Sequence, residues 1–86
     1  MTEREKNILT DFVRLYNEWR GKFGQLGADA DFAGLARDVG ETCNKYPDDY
    51  LAEAMALMVL EVFDYYYKHG GFPVDVEAPF FAEAVQ

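Results

Sequence analysis

Apolar residues recur every three or four positions over the first part of the chain, which is the spacing of an amphipathic α-helix. At about 100° per residue they occupy one continuous arc of about 160°, with polar residues on the other side. Thr2 and Glu5 stand three positions apart, as in a capping box, where a hydroxyl and a carboxylate satisfy the first free backbone N–H groups. The pattern predicts a helix over residues 2–22. Its apolar face comprises Ile8, Leu9, Phe12, Val13, Leu15, Tyr16 and Trp19.

Glycines at positions 21, 24 and 27 interrupt this pattern and predict a loop over residues 23–30. Phe23 and Leu26 are expected to return from that loop to the core. The glycine spacing is not typical of a phosphate-binding loop, because no strand precedes it and no Gly-Lys-Ser/Thr sequence follows it.

A second helix is predicted over residues 32–45, with Asp31 as its N-cap. Gly40 weakens this helix by roughly 1 kcal/mol relative to alanine, so we expect it to mark a close approach by another helix. Pro47 ends the helix, since the residue before a proline is disfavoured in the helical region. The apolar stripe comprises Phe32, Leu35, Ala36, Val39, Cys43 and Tyr46.

A third helix is predicted over residues 48–69, with aspartates in its first two positions, where the helix dipole favours negative charge. From residue 54 to residue 63 every position except Glu61 is apolar, which predicts a central helix buried on most of its circumference. The longest uncharged stretch, residues 54–60, is far too short to span a membrane. Gly70 is the expected left-handed C-cap.

Pro79 is suited to the first position of a short C-terminal helix over residues 79–85, which would contribute Phe80 and Phe81 to apolar contacts. No repeat, low-complexity tract or linker divides the chain. The sequence therefore predicts one all-α domain over residues 1–86. Its expected architecture is a small bundle of three main helices plus a short C-terminal helix.

Net charge restricts the possible functions more than any other bulk property of the sequence. The net charge of −8 disfavours direct binding to nucleic acid, because a phosphate-binding surface needs lysine and arginine. The charge is unevenly distributed: residues 1–46 carry a net −1, whereas residues 47–86 carry a net −7, with Lys68 as the only base. The single cysteine and the charged, non-apolar N-terminal residues favour a cytoplasmic protein without a secretory signal.

The chain offers few residues for chemistry. His69 is the only histidine and stands at a helix end, where it suits the dipole, and Cys43 lies on an apolar stripe. Residues 29–34 imitate the start of a calcium loop, but its twelfth position is Gly40 rather than the required glutamate. We therefore expect no catalytic activity, no cofactor and no metal site.

Three consecutive tyrosines end the third helix and cannot all face one way. A helical wheel predicts that Tyr66 is core and that Tyr65 lies at the edge of the apolar arc. Tyr67 aligns with Leu60 and Phe63 along one ridge beside acidic residues. Either the chain itself covers this ridge, or the ridge contacts a protein partner or a second copy, together with the phenylalanines at positions 80 and 81.

Two functional hypotheses follow. The first is a small cytosolic helical protein–protein interaction module that binds a protein partner, for which a basic protein is one candidate, or a second copy of itself through the aromatic ridge. The second is an acidic inhibitor, of the kind encoded by phages and mobile elements, that occupies the nucleic-acid groove of a basic protein with carboxylates in place of phosphates. The acidic surface for either hypothesis comprises Asp49, Glu53, Glu61 and Asp64.

Overall fold

The computed structural model describes residues 1–26 and 30–73, apart from the side chains of residues 25 and 26. This part of the chain forms three α-helices: α1 (Glu3–Leu26), α2 (Phe32–Asn44) and α3 (Tyr50–Lys68). Each helix packs against the other two. The prediction of a small all-α bundle is confirmed. The predicted C-terminal helix over residues 79–85, with Phe80 and Phe81, lies outside the described residues.

The first helix is longer than its pattern predicts. α1 continues through Gly21 and Gly24 to residue 26, so the predicted loop is wrong over residues 23–26. The reason is Phe23, which extends the apolar face by one more turn and is only 6% exposed. Burying such a ring stabilises by about 2–3 kcal/mol, which offsets the roughly 1 kcal/mol that each helical glycine costs.

The first two helices begin with the caps that the sequence predicts. The backbone N–H of Thr2 donates to Glu5 Oε1 at 2.7 Å, and the backbone N–H of Glu5 donates to the Thr2 hydroxyl at 3.1 Å. Asp31 Oδ1 accepts from the backbone N–H of Gly34 at 2.8 Å. These contacts satisfy N–H groups that have no partner within the helix.

The third helix begins two residues later than its pattern predicts. Asp49 is its N-cap and accepts from the backbone N–H of Ala52 at 3.1 Å. Asp48 has a φ of 58°, in the left-handed region that aspartate tolerates better than most residues. That conformation reverses the chain between α2 and α3, so Asp48 belongs to the turn.

The core lies between the three helices. Gly34 marks a close approach between α1 and α2, because a Cβ at that position would lie 2.9 Å from Cη2 of Trp19. Gly40 has nothing within 4 Å of its Cβ position, so the predicted close approach there is wrong. The buried apolar residues are Ile8, Phe12, Leu15, Trp19, Phe23, Leu35, Val39, Ala52, Val59 and Phe63.

A glycine turn ends α3 and returns the chain to the core. Gly70 and Gly71 have φ values of 94° and 108°, and the N–H of Gly71 donates to the carbonyl of Tyr66 at 2.7 Å. This is a Schellman arrangement, so the predicted glycine cap is confirmed. Phe72 then packs against Phe63 with a ring-centroid distance of 4.8 Å. Arg20 Nη2 donates to the carbonyl of Pro73 at 3.0 Å.

Candidate interaction surface

The ridge predicted for partner binding is mostly covered by the chain itself. Phe63 has no exposed surface and packs edge-to-face on Tyr16 and Phe23, with centroid distances of 5.3 and 5.0 Å. Leu60 is half-buried against the core. Tyr67 remains 42% exposed, beside Phe32 at 5.0 Å. The three residues do not share one exposed surface. Phe63 is buried in the core and therefore does not belong to the candidate interface.

The other two tyrosines differ in their surroundings. Tyr66 is half-buried and packs on Phe72 with a centroid distance of 5.1 Å. Tyr65 is exposed and stacks on His69 at 4.0 Å. The Nδ1 atom of His69 lies 2.7 Å from the carbonyl oxygen of Tyr65, so the ring can donate a hydrogen bond to the last turn of α3. Stacking therefore covers one face of each ring at the end of the helix.

Two of the four predicted surface carboxylates have intramolecular partners. Asp49 accepts from Arg4 Nε at 2.8 Å, and this contact, together with the N–H of Ala52, lowers the pKa of Asp49 below its usual value. Asp64 pairs with Lys68 at 3.0 Å, one turn further along the helix. These carboxylates are partly neutralised, so they offer less charge to a partner than the sequence alone indicates.

The remaining two predicted carboxylates, Glu53 and Glu61, are both exposed on α3. At about 100° per residue, Glu61 lies about 80° around the helix from Glu53. Asp64 falls between them and closer to Glu53. Glu53 and Asp64 therefore form one acidic edge, and Glu61 stands apart from that edge.

Large apolar side chains surround Glu61 on the side of α3 that faces away from α1 and α2. Tyr50 is 84% exposed, Leu57 60%, Tyr65 55% and Met58 37%. Single exposed apolar residues are normal on protein surfaces, whereas these four share one side of α3, within an arc of about 100°. We call these four side chains, together with Glu61, the α3 outer face. It extends from residue 50 to residue 65, a distance of about 22 Å.

The position of this face follows from the packing of α3. Ala52, Val59 and Phe63 lie on the opposite side of the helix and are fully buried. A 19-residue helix that is apolar on most of its circumference cannot be surrounded by only two neighbouring helices. Among the residues that the structure describes, one apolar side of α3 therefore stays uncovered. The hydrophobic pattern indicates an excess of apolar surface on α3, but it does not indicate which side the other helices cover.

A polar groove between α1 and α2 has a volume of about 360 Å³, but its groups bind one another. The hydroxyl of Tyr46 donates to Asp11 Oδ2 at 2.6 Å, and Lys45 Nζ lies 3.4 Å from the same oxygen. The hydrogen bond to Asp11 raises the pKa of Tyr46 to about 12. At the other end of the interface, Trp19 Nε1 donates to Asp38 at 2.9 Å. These contacts join α1 to α2.

Within residues 1–26 and 30–73, no three histidine, cysteine, aspartate or glutamate side chains come together as metal ligands. The same residues contain no helix with the length and apolarity needed to cross a membrane. No protein-family model, curated protein or solved structure matches this chain. The α3 outer face is therefore the feature from which we argue function.

Proposed function

We propose that this protein is a small acidic interaction module that binds a basic protein partner through the α3 outer face and has no catalytic activity of its own. The observation that carries the proposal is the exposure of four large apolar side chains on one face of the central helix. A reducing cytoplasm suits the module, because its one cysteine, Cys43, lies half-buried against the core as a free thiol.

The composition of the face is that of a protein interface. Tyrosine and methionine are enriched at the centres of interfaces, where they supply large contact areas at low entropic cost. The exposed apolar residues contribute little to folding, because the opposite side of α3 supplies the core. Covering them with a partner removes apolar area from water and so favours binding by about 25 cal/mol per Å².

The charge around the face favours a basic partner. Glu53, Glu61 and Asp64 lie on or beside the α3 outer face, and Lys68 is the one base on the same helix. Complementary charge raises association rates and disfavours acidic competitors. This electrostatic contribution predicts binding that weakens as ionic strength rises but does not vanish, since the apolar contact is insensitive to screening.

The test begins with affinity capture from the cells in which the protein occurs, using wild type and two double variants in parallel. Leu57→Ser/Met58→Ser changes the α3 outer face, whereas Ala33→Ser/Ala36→Ser changes exposed positions on α2 and serves as the matched control. A captured protein is identified, purified and titrated against each variant by calorimetry. We expect the α3 variant to lose binding and the α2 variant to keep it.

Three results would contradict the proposal. The first is undiminished binding of the captured protein by a folded Leu57→Ser/Met58→Ser variant. The second is binding that disappears at high salt and is unaffected by that variant, which would indicate the nucleic-acid mimic instead. The third is a concentration-dependent dimer, lost in the same variant, which would indicate self-association.

A further inference from the structure

A second apolar surface lies where α1 and α3 run side by side. Arg4 binds Asp49 where both helices begin. Further along, Tyr16 packs on Phe63, so the two helices run in the same direction. Three half-buried apolar residues of α1 fall within about 60° of one another on a helical wheel, and three of α3 fall within about 40°. We call these six residues the α1–α3 seam: Leu9, Val13, Tyr16, Met55, Val62 and Tyr66.

The second helix packs on other sides of α1 and α3. On α1 it contacts Asp11, and on α3 it contacts Tyr67. At about 100° per residue, Val13 lies about 160° around α1 from Asp11. Val62 likewise lies about 140° around α3 from Tyr67. The seam therefore faces away from α2, and no fourth helix lies over it in the part of the chain that the structure describes.

The chain enters one end of this seam directly after α3. Phe72 packs on Tyr66 with a centroid distance of 5.1 Å. Arg20, on the same side of α1 as the seam residues, donates to the carbonyl of Pro73 at 3.0 Å. Thirteen residues follow Pro73. As a helix they would span about 20 Å, which matches the distance of about 21 Å along α1 from Arg20 back to Lys6.

The charges of the seam and of the segment that follows Pro73 are complementary. Lys6 and Arg20 lie at half-buried positions on the α1 border of the seam, and the six seam residues carry no charge. The α3 outer face has three carboxylates on or beside it, so like charges would disfavour an acidic segment there. The segment contains no lysine or arginine, and its acids are Asp75, Glu77 and Glu83.

We propose that residues 74–86 bind along the α1–α3 seam of the same chain, with their first acids beside Arg20 and Glu83 beside Lys6. Because the segment is tethered at Pro73, its effective concentration at the seam far exceeds that of a separate molecule. The seam is distinct from the α3 outer face, so the inference goes beyond the proposed function and leaves that face open to a partner. The large apolar residues that would cover the seam are Val74, Val76, Phe80, Phe81 and Val85.

Paramagnetic relaxation enhancement in the full chain tests where this segment lies. A nitroxide is attached through Ala82→Cys in a Cys43→Ala background, and each backbone amide signal is compared before and after reduction of the label. We expect the signals of Leu9 and Val13 on α1 to lose as much intensity as that of Val62 on α3. The signals of α2 should keep most of their intensity, because α2 lies on the other side of the bundle.

A charge exchange tests the ion pairs. Lys6→Glu should reduce the loss of intensity on α1, because it places like charges at one end of the seam. Glu83→Lys in the same chain should restore that loss, since the two charges are then exchanged rather than removed. The matched control is Arg37→Glu, which changes net charge equally at an exposed position on α2 and should leave the intensities unchanged.

Three results would overturn the inference. Intensity loss along α3 that spares α1 would place the segment on the α3 outer face, and it would count against the proposed function as well. Loss confined to the residues next to Pro73 would show that the segment binds neither surface, and the proposed function would be unaffected. Loss in an isotope-labelled chain without a nitroxide, mixed with the spin-labelled chain, would show that the segment binds a second copy instead.

Discussion

The indole ring of Trp19 occupies the space that a side chain at position 34 would need. Cη2 of Trp19 lies 2.9 Å from the Cβ position of Gly34, and Nε1 of the same ring donates to Asp38 at 2.9 Å. One ring thus contacts α2 at two places a turn apart, through steric fit at one and a hydrogen bond at the other. These contacts fix α1 across α2 and so determine where α3 can pack.

This relationship predicts opposite effects for one substitution at two glycines of α2. Gly34→Ala should destabilise by about 1–3 kcal/mol, because the methyl group meets Trp19 and the capping carboxylate of Asp31. Gly40→Ala should stabilise by up to about 1 kcal/mol, since nothing lies within 4 Å and alanine favours the helix. Urea unfolding of both variants measures the difference. Equal effects would contradict the close approach.

The hydrogen bond between Tyr46 and Asp11 predicts loss of stability at alkaline pH. The pKa of Tyr46 rises from an ordinary 10.0 to about 12 because its hydroxyl donates to the Asp11 carboxylate. The raised value means that this stabilisation is fully present below pH 10 and is lost as the pH rises towards 12. Tyr46→Phe should cost about 1 kcal/mol at neutral pH and flatten the alkaline decline.

Denaturant unfolding of wild type and Tyr46→Phe across this pH range measures both effects, with ultraviolet absorbance reporting tyrosinate formation. The phenylalanine variant keeps Lys45 beside Asp11, so it separates the phenol from the lysine. An alkaline decline of equal steepness in both proteins would count against the hydrogen bond.

The contact between Arg4 and Asp49 predicts the opposite behaviour at acidic pH. Arg4 and the backbone N–H of Ala52 lower the pKa of Asp49, so its carboxylate stabilises the fold at neutral pH and this contribution is lost as the pH falls below about 4. Asp49→Asn should keep a cap and lose the ion pair, whereas Asp49→Ala should lose both.

Thermal unfolding at neutral and acidic pH tests this order. At neutral pH the midpoint should fall from wild type to Asp49→Asn to Asp49→Ala. At acidic pH the wild-type midpoint should approach that of Asp49→Asn, whereas Asp49→Ala should remain lowest because it lacks a cap. Arg4→Gln should resemble Asp49→Asn, and a midpoint of Arg4→Gln equal to that of wild type would show that the ion pair contributes nothing.

Exposure on α3 predicts which residues of that helix the fold requires. Phe63→Ala should destabilise by about 3–5 kcal/mol, because it empties the centre of the core. Leu57→Ser should change stability by less than about 1 kcal/mol, since the side chain is 60% exposed. Circular dichroism during urea unfolding measures both values. A large loss in Leu57→Ser would show that the α3 outer face is covered within the chain.

The predictions from sequence succeed where local physical chemistry decides the outcome. The caps at Thr2 and Asp31, the glycine stop at Gly70 and the three amphipathic helices follow from side chains within one turn of each feature. Any other conformation at these positions would leave a backbone N–H group without a hydrogen-bond partner or would place a residue in a disfavoured backbone region. Periodicity and capping therefore place the helices to within a few residues.

The predictions fail where packing between helices decides. Glycines predict the end of α1 before residue 23, but burial of Phe23 against α3 overrides them. Gly40 was expected at a close approach that occurs at Gly34 instead, because the rotation of α2 about its axis is set by Trp19. The same difficulty affects the candidate site: the wheel shows excess apolar surface on α3 but cannot distinguish the side holding Phe63 from the side holding Leu57.

Each of the three helices begins against an oxygen of this chain's own side chains, supplied by Glu5, Asp31 and Asp49. Helix N-termini are common sites for phosphate and carboxylate ligands, because their N–H groups and dipole attract anions. An external anion would have to displace a carboxylate tethered only three residues from the N–H it binds, which acts at a very high effective concentration. N–H groups at the N-terminal ends of the three helices are therefore already bound by carboxylates of this chain. The recognition that we propose therefore uses side chains along a helix rather than backbone groups at its ends.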